Sequence, residues 1–153
     1  MSIFLSQNAA KTKRIGENLA RKILQNKSGR KKALVLGLIG DLGGGKTTFL
    51  QGFAKGFGIR ERILSPTFVI MKKFQLFNCP IVQLLNFYHI DCYRIQKPKE
   101  ILALGWKEII NNPQNIIAVE WADKIKRHLP KDKIMITFEV IGKNRRKIYC
   151  ISG

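Results

Sequence analysis

Residues 33–50 read Ala33-Leu-Val-Leu-Gly-Leu-Ile39, then Gly40-Asp-Leu-Gly-Gly-Gly45, then Lys46-Thr47-Thr48-Phe49-Leu50. The first seven form an apolar run without alternation, the pattern of a strand buried on both faces of a parallel sheet. The glycine-rich stretch fits G-x-x-x-x-G-K-[ST], the P-loop. Gly43, Gly44 and Gly45 let the backbone wrap closely around phosphates with its N–H groups pointing inward. The helix that follows adds the positive end of its dipole. Lys46 can reach the β- and γ-phosphates, and the Thr47 hydroxyl can ligate magnesium. Strand, phosphate loop and helix in that order are the first unit of an α/β fold.

Working outward, Phe49, Leu50, Phe53, Ala54 and Phe57 mark one face of the helix, which Gly56 and Gly58 close. Upstream, residues 7–25 have helical spacing at Ile15, Leu19, Ile23 and Leu24, with Ser6 as the cap and Asn26-Lys27-Ser28-Gly29 as the turn after it. Downstream, Ile81–Ile90 is a second apolar stretch that ends at Asp91. Residues 98–110 read as a helix, and Ile116–Val119 as a strand ending at Glu120. Ile134–Ile141 and Lys147–Ile151 flank Gly142-Lys143-Asn144 as an antiparallel hairpin. The alternation predicts a P-loop NTPase-like three-layer α/β sandwich, with a mostly parallel sheet and that hairpin at its C-terminal end. A length of 153 residues suits one domain, 1–153.

The composition excludes several classes. Cys79, Cys92 and Cys150 form no CxxC pair, so neither a disulfide framework nor a zinc site is indicated. Three reduced thiols in a cytoplasmic protein are the expectation. The longest apolar stretch, Ala33–Ile39, is far short of the roughly 20 residues of a membrane-spanning helix. No secretory signal is read at the N-terminus, whose apolar residues precede its positive charges. Net charge is +18, concentrated in residues 11–32 and 124–147, while the middle is close to balanced. Cationic ends fit phosphate-backbone binding, but Lys rising together with Ile is also a compositional habit. A stacking-aromatic RNA motif or a GXXG loop is not found.

A P-loop binds phosphate; hydrolysis also needs an acid on the metal side and a group that positions water. Acids at the carboxyl ends of parallel strands are the place to look. Glu120 ends Ile-Ile-Ala-Val and is a Walker-B-type candidate for magnesium. Asp91 follows Asn-Phe-Tyr-His-Ile and could orient water or the metal. Ser65-Pro66-Thr67 could sense a γ-phosphate as a switch loop does, or be a plain turn. His89 receives no role, and Trp121 reads as a packing residue.

Taken together, Gly40-Asp-Leu-Gly-Gly-Gly-Lys-Thr-Thr-Phe49, Ser65-Pro-Thr-Phe68, His89-Ile-Asp-Cys-Tyr-Arg94, Leu104-Gly105 and Glu120-Trp121 resemble the TsaE (YjeE) family. So does Thr12-Lys-Arg-Ile-Gly-Glu-Asn-Leu19, and the resemblance covers essentially the whole chain. It implies a small P-loop ATPase; no obvious arginine finger is read in cis, so weak activity alone, increased by partners that complete the site, is the expectation. Such a protein assists threonylcarbamoyladenosine synthesis beside the tRNA anticodon, with TsaB and TsaD. By the same resemblance Gly43–Thr48, with Thr48 included, hold the ATP phosphates, and Thr47 and Glu120 serve magnesium. Lys46 and Asp91 serve hydrolysis, Thr67 lies on a switch-like segment, and Trp121 sits beside the nucleotide. The family usually has alanine at the position of Gly44 and is less basic. Two other readings stay open: a P-loop small-molecule kinase, and a nucleotide-dependent RNA-binding module whose hydrolysis is not required. Arg94 is a candidate arginine finger for the ATPase.

Overall fold

Among the described residues, the apolar runs become strands of one sheet. The computed structural model describes residues 1–25, 29–64, 70–76 and 85–153. Its elements are β1 (Ser2–Ser6), α1 (Ala9–Gln25), β2 (Leu34–Ile39), α2 (Lys46–Gly56), β3 (Met71–Leu76), β4 (Leu85–Asp91), α3 (Trp106–Asn111), β5 (Asn115–Glu120), β6 (Ile134–Val140) and β7 (Arg146–Ser152). Two 3-10 helices, Pro98–Leu104 and Ala122–His128, complete the described chain.

The seven described strands run in the order β1-β7-β6-β2-β5-β4-β3. β6, β2, β5 and β4 are parallel neighbours, and the flanking strands pair antiparallel. The parallel part is thus the centre, and both ends are antiparallel. Every residue of β5 is buried, as the apolar run Ile116–Val119 at its centre leads one to expect, and Asn115 and Glu120 at its ends are buried polar groups. Alternate residues feed two cores. Leu36, Leu38, Ile116 and Ala118 face α1 and α2 with Ile136 and Phe138. Val35, Ile117 and Val119 face Ile101, Trp106, Ile109 and Ile125 on the other side. Helices on both faces of the sheet make the three layers expected.

All five apolar residues predicted for this face, Phe49, Leu50, Phe53 and Ala54 within α2 and Phe57 at its C-cap, are buried. Phe53 meets Phe57 edge-on at 4.9 Å between centroids and Phe87 at 6.0 Å, and Phe49 meets Phe138 edge-on at 5.6 Å. Burying each of these rings contributes about 1.5–3 kcal/mol.

Four features differ from the sequence reading. Strands β1 and β3 are additional; short edge strands carry little apolar signal, and β1 is mostly exposed. The cap of α1 is Asn8, whose Oδ1 accepts from Lys11 N at 2.8 Å. Ser6 instead donates to Asn8 O and bonds Thr12 Oγ1 at 2.8 Å. The helix expected over 98–110 is broken at Gly105, whose φ of 73° ends the 3-10 helix and starts α3. Ser65–Phe68, Cys79 and the first residues of the 81–90 stretch lie outside the described residues. Cys92 and Cys150 are free, and burial pushes the Cys92 thiol up to about 12. Among the described residues, no helix is long and apolar enough to cross a membrane.

The helices α1 and α2 touch backbone to backbone. A Cβ on Gly52 would lie 1.9 Å from Lys13 O, and one on Gly16 would lie 2.3 Å from Phe49 O. Only glycine allows this approach, so α1 is held against the helix that carries the phosphate loop. Gly52→Ala is expected to cost about 2–3 kcal/mol by overpacking. At Gly29 a Cβ meets nothing within 4 Å, so Gly29→Ala should change stability by less than about 0.5 kcal/mol. Urea unfolding of the two variants checks the contrast.

Candidate functional site

The carboxyl ends of β2, β5 and β4 lie side by side, so the residues just beyond them converge. β2 runs into the loop 40–45, and α2 begins at Lys46. Register pairs Leu38 with Glu120 and Asp91 with Glu120. One strand therefore brings Glu120 between the phosphate loop and Asp91.

The loop has the backbone its glycines were expected to supply. Gly43 has φ 73° and Gly45 φ 101°, both left-handed values that other residues avoid. Nothing lies within 4 Å of a Cβ on Gly43, so conformation rather than space requires glycine there. At Gly44 a Cβ would sit 2.9 Å from Asp41 O, so an alanine needs that carbonyl to shift slightly. Thr48 is half-buried in the first turn of α2.

Lys46 is buried and folds back onto its own loop, donating to Gly40 O at 2.5 Å and Asp41 O at 2.8 Å. Burial pushes its ammonium below the usual lysine value, while the carboxylates of Glu120, Asp91, Asp41 and Asp123 act the other way. Its Nζ lies 4.0 Å from the centre of the Trp121 ring, an attraction between cation and π-face. Trp121 is therefore part of this cluster, not merely a packing residue. It has φ 57° and ψ 44°, and among the described residues it is the one non-glycine with positive φ. Such a conformation costs on the order of 1–3 kcal/mol and is characteristic of working sites. The Tyr93 ring, 5.2 Å from it, braces the indole from the side.

Glu120 is buried at the end of β5. The Thr47 hydroxyl donates to it, 3.0 Å from both carboxylate oxygens. His89 Nε2 lies 2.9 Å from its Oε1 and is itself buried. The sequence reading gave His89 no role. Its signal was alternation along β4, which puts His89 and Asp91 on one face. Asp91 is half-buried, and its Oδ1 accepts from Tyr93 N at 2.9 Å. Arg94 is exposed in the turn after β4. Thr67 lies outside the described residues.

The donor set suits magnesium with a phosphate ligand. A hydroxyl and a carboxylate are hard oxygen donors, and Mg²⁺ takes one or two protein ligands plus phosphate oxygens. Among the described residues no cluster of three or more His, Cys, Asp or Glu is placed to hold a metal. Magnesium completed by phosphate needs no such cage.

The family model described as "Threonylcarbamoyl adenosine biosynthesis protein TsaE" matches residues 6–148. The tRNA threonylcarbamoyladenosine biosynthesis protein TsaE of Bacillus subtilis is 40% identical over 114 residues, 74% of this chain and 66% of that protein. The protein of the same name from Rickettsia felis is 35% identical over 145 residues, 94% of this chain and 76% of its own. A crystal structure of Bacillus subtilis YdiB matches with a TM-score of 0.74 and 33% identity, covering 99% of this chain and 86% of the other.

The ring contact makes Lys46 observable. The chain has two tryptophans, so Trp106→Phe leaves Trp121 as the sole indole emitter. Tripolyphosphate drawing Lys46 off the ring should change that emission saturably, and Lys46→Ala should abolish the response. An unchanged emission in a sample shown by calorimetry to bind the anion would refute the contact.

Proposed function

The chain belongs to the TsaE family of tRNA threonylcarbamoyladenosine biosynthesis proteins, and from that premise we propose that it is a magnesium-dependent ATPase of this pathway, acting with TsaB and TsaD. One observation carries the reading most: the Thr47 hydroxyl and the Glu120 carboxylate meet beside a P-loop lysine. These are the two oxygen donors that a metal-assisted phosphoryl transfer uses on the protein side.

In this reading Lys46 exchanges the carbonyls of Gly40 and Asp41 for the phosphate oxygens, which restores its lowered proton affinity. Gly43–Thr48 direct backbone N–H groups at the phosphates. Thr47 and Glu120 hold magnesium, which supplies positive charge against the phosphate oxygens. His89 fixes the rotamer of Glu120, and Asp91 orients water. The chain's role is positioning and charge stabilisation. The turnover alone is low, and docking on TsaB–TsaD raises it. The cytoplasm, where tRNA is modified, is the proposed location.

A second reading, direct contact with tRNA, is supported by one feature of the topology. β1 and β7 line one cavity together with Lys11, Arg14, Lys22 and Arg30, so four cations of the first basic stretch border one hollow at that edge of the sheet. Affinity for tRNA that falls steeply between low and high salt would support it.

The main test is ATP hydrolysis with and without TsaB–TsaD. Turnover should rise with the pair and vanish on chelating magnesium. Glu120→Ala and Asp91→Ala should each lower kcat by about 100-fold or more, the size typical of losing one stabilising group. Turnover in Glu120→Ala equal to wild type would refute the assignment.

A further inference from the structure

The P-loop is held from outside by a residue remote in the sequence. Arg146, the first residue of β7, pairs with Ser6 of β1 and Val140 of β6. Its Nε donates to Gly44 O at 3.0 Å, and its Nη2 to Gly43 O at 3.3 Å. Its Nη1 donates to Asn144 O at 3.3 Å, which fixes the fork within its own hairpin. A Cβ on Gly45 would lie 2.9 Å from Arg146 Nε and 3.0 Å from its Cδ. The guanidinium therefore lies directly against the loop.

Loop carbonyls that point away from a phosphate still need donors. A guanidinium is suited to two at once, because its N–H groups form a rigid fork. The other cation on the loop, Lys46, holds different carbonyls, those of Gly40 and Asp41. If Lys46 leaves them for phosphate, the bonds from Arg146 to Gly43 and Gly44 remain. A run of three glycines is costly to order, so it gains most from a brace that does not depend on the ligand.

We propose that Arg146 is a positioning residue that keeps the P-loop backbone in its phosphate-binding shape and thereby ties nucleotide affinity to the β6–β7 hairpin. This rests on the nucleotide-binding reading above for its functional half, and on the loop contacts alone for its structural half.

The test has two arms. In the first, amide hydrogen exchange of residues 43–46 is compared between wild type and Arg146→Ala without nucleotide. Exchange should quicken about tenfold, the effect of losing a charge-assisted hydrogen bond worth roughly 1.4 kcal/mol. Unchanged exchange overturns the proposal. In the second arm, binding of Mg·ATP and Mg·ADP and turnover at saturation are measured. Kd should weaken about tenfold for both nucleotides with kcat within about twofold of wild type. A large loss of kcat with Kd for ADP unchanged overturns positioning, since Arg146 would then act on the transferred phosphate. Arg146→Lys, which keeps the charge but loses the fork, should lie between; it replaces the alanine variant if that fails to fold. A wild type that binds neither nucleotide refutes the proposed function, while the exchange arm still decides the brace.

Discussion

A carboxylate buried at the end of a buried strand has to be satisfied, and much of the site follows from how Glu120 is. An uncompensated buried charge costs several kcal/mol. Thr47 brings the first turn of α2 to it, and His89 brings β4. One side chain thus joins the helix after the phosphate loop to two strands of the parallel centre. Among the described residues, every buried side-chain nitrogen or oxygen has a hydrogen-bond partner. The polar cluster is therefore a built part of the fold, set between the two apolar cores.

The site also stores tension close to its chemistry. Trp121 follows Glu120 directly and holds a left-handed backbone that a tryptophan does not choose. The conformation places its ring over Lys46. The buried ammonium then gains from the ring's π-face some of what it loses in hydration. Strain, burial and cation–π contact converge on the lysine that the proposed chemistry moves.

The sheet's centre is legible in the sequence because parallel strands buried on both faces read as unbroken apolar runs. The phosphate loop is legible because its glycines and lysine have fixed mechanical jobs, and Glu120 and Asp91 because strand ends are where acids matter. Other features are carried by long-range contacts. β1 and β3 are edge strands whose partners supply their order. His89 needed the register of β4 against β5 to meet Glu120. Arg146 looked like one cation in a basic run; only the return of β7 beside the loop gives it a partner, 102 residues away in sequence from Gly44. The break at Gly105 escaped because the apolar residues on either side keep helical spacing through it.

The pairing of β1 with β7 has a consequence for synthesis. β1 can find its partner only once β7, far along the chain, has left the ribosome. Domains form from the N-terminus as the chain emerges, and contacts distant in sequence are slow to close. Until β7 emerges, the nascent chain therefore carries an unpaired apolar edge, Ile3 to Leu5. Its phosphate loop is likewise unbraced until Arg146 appears. A product truncated before β7 would therefore have the motif without the finished loop.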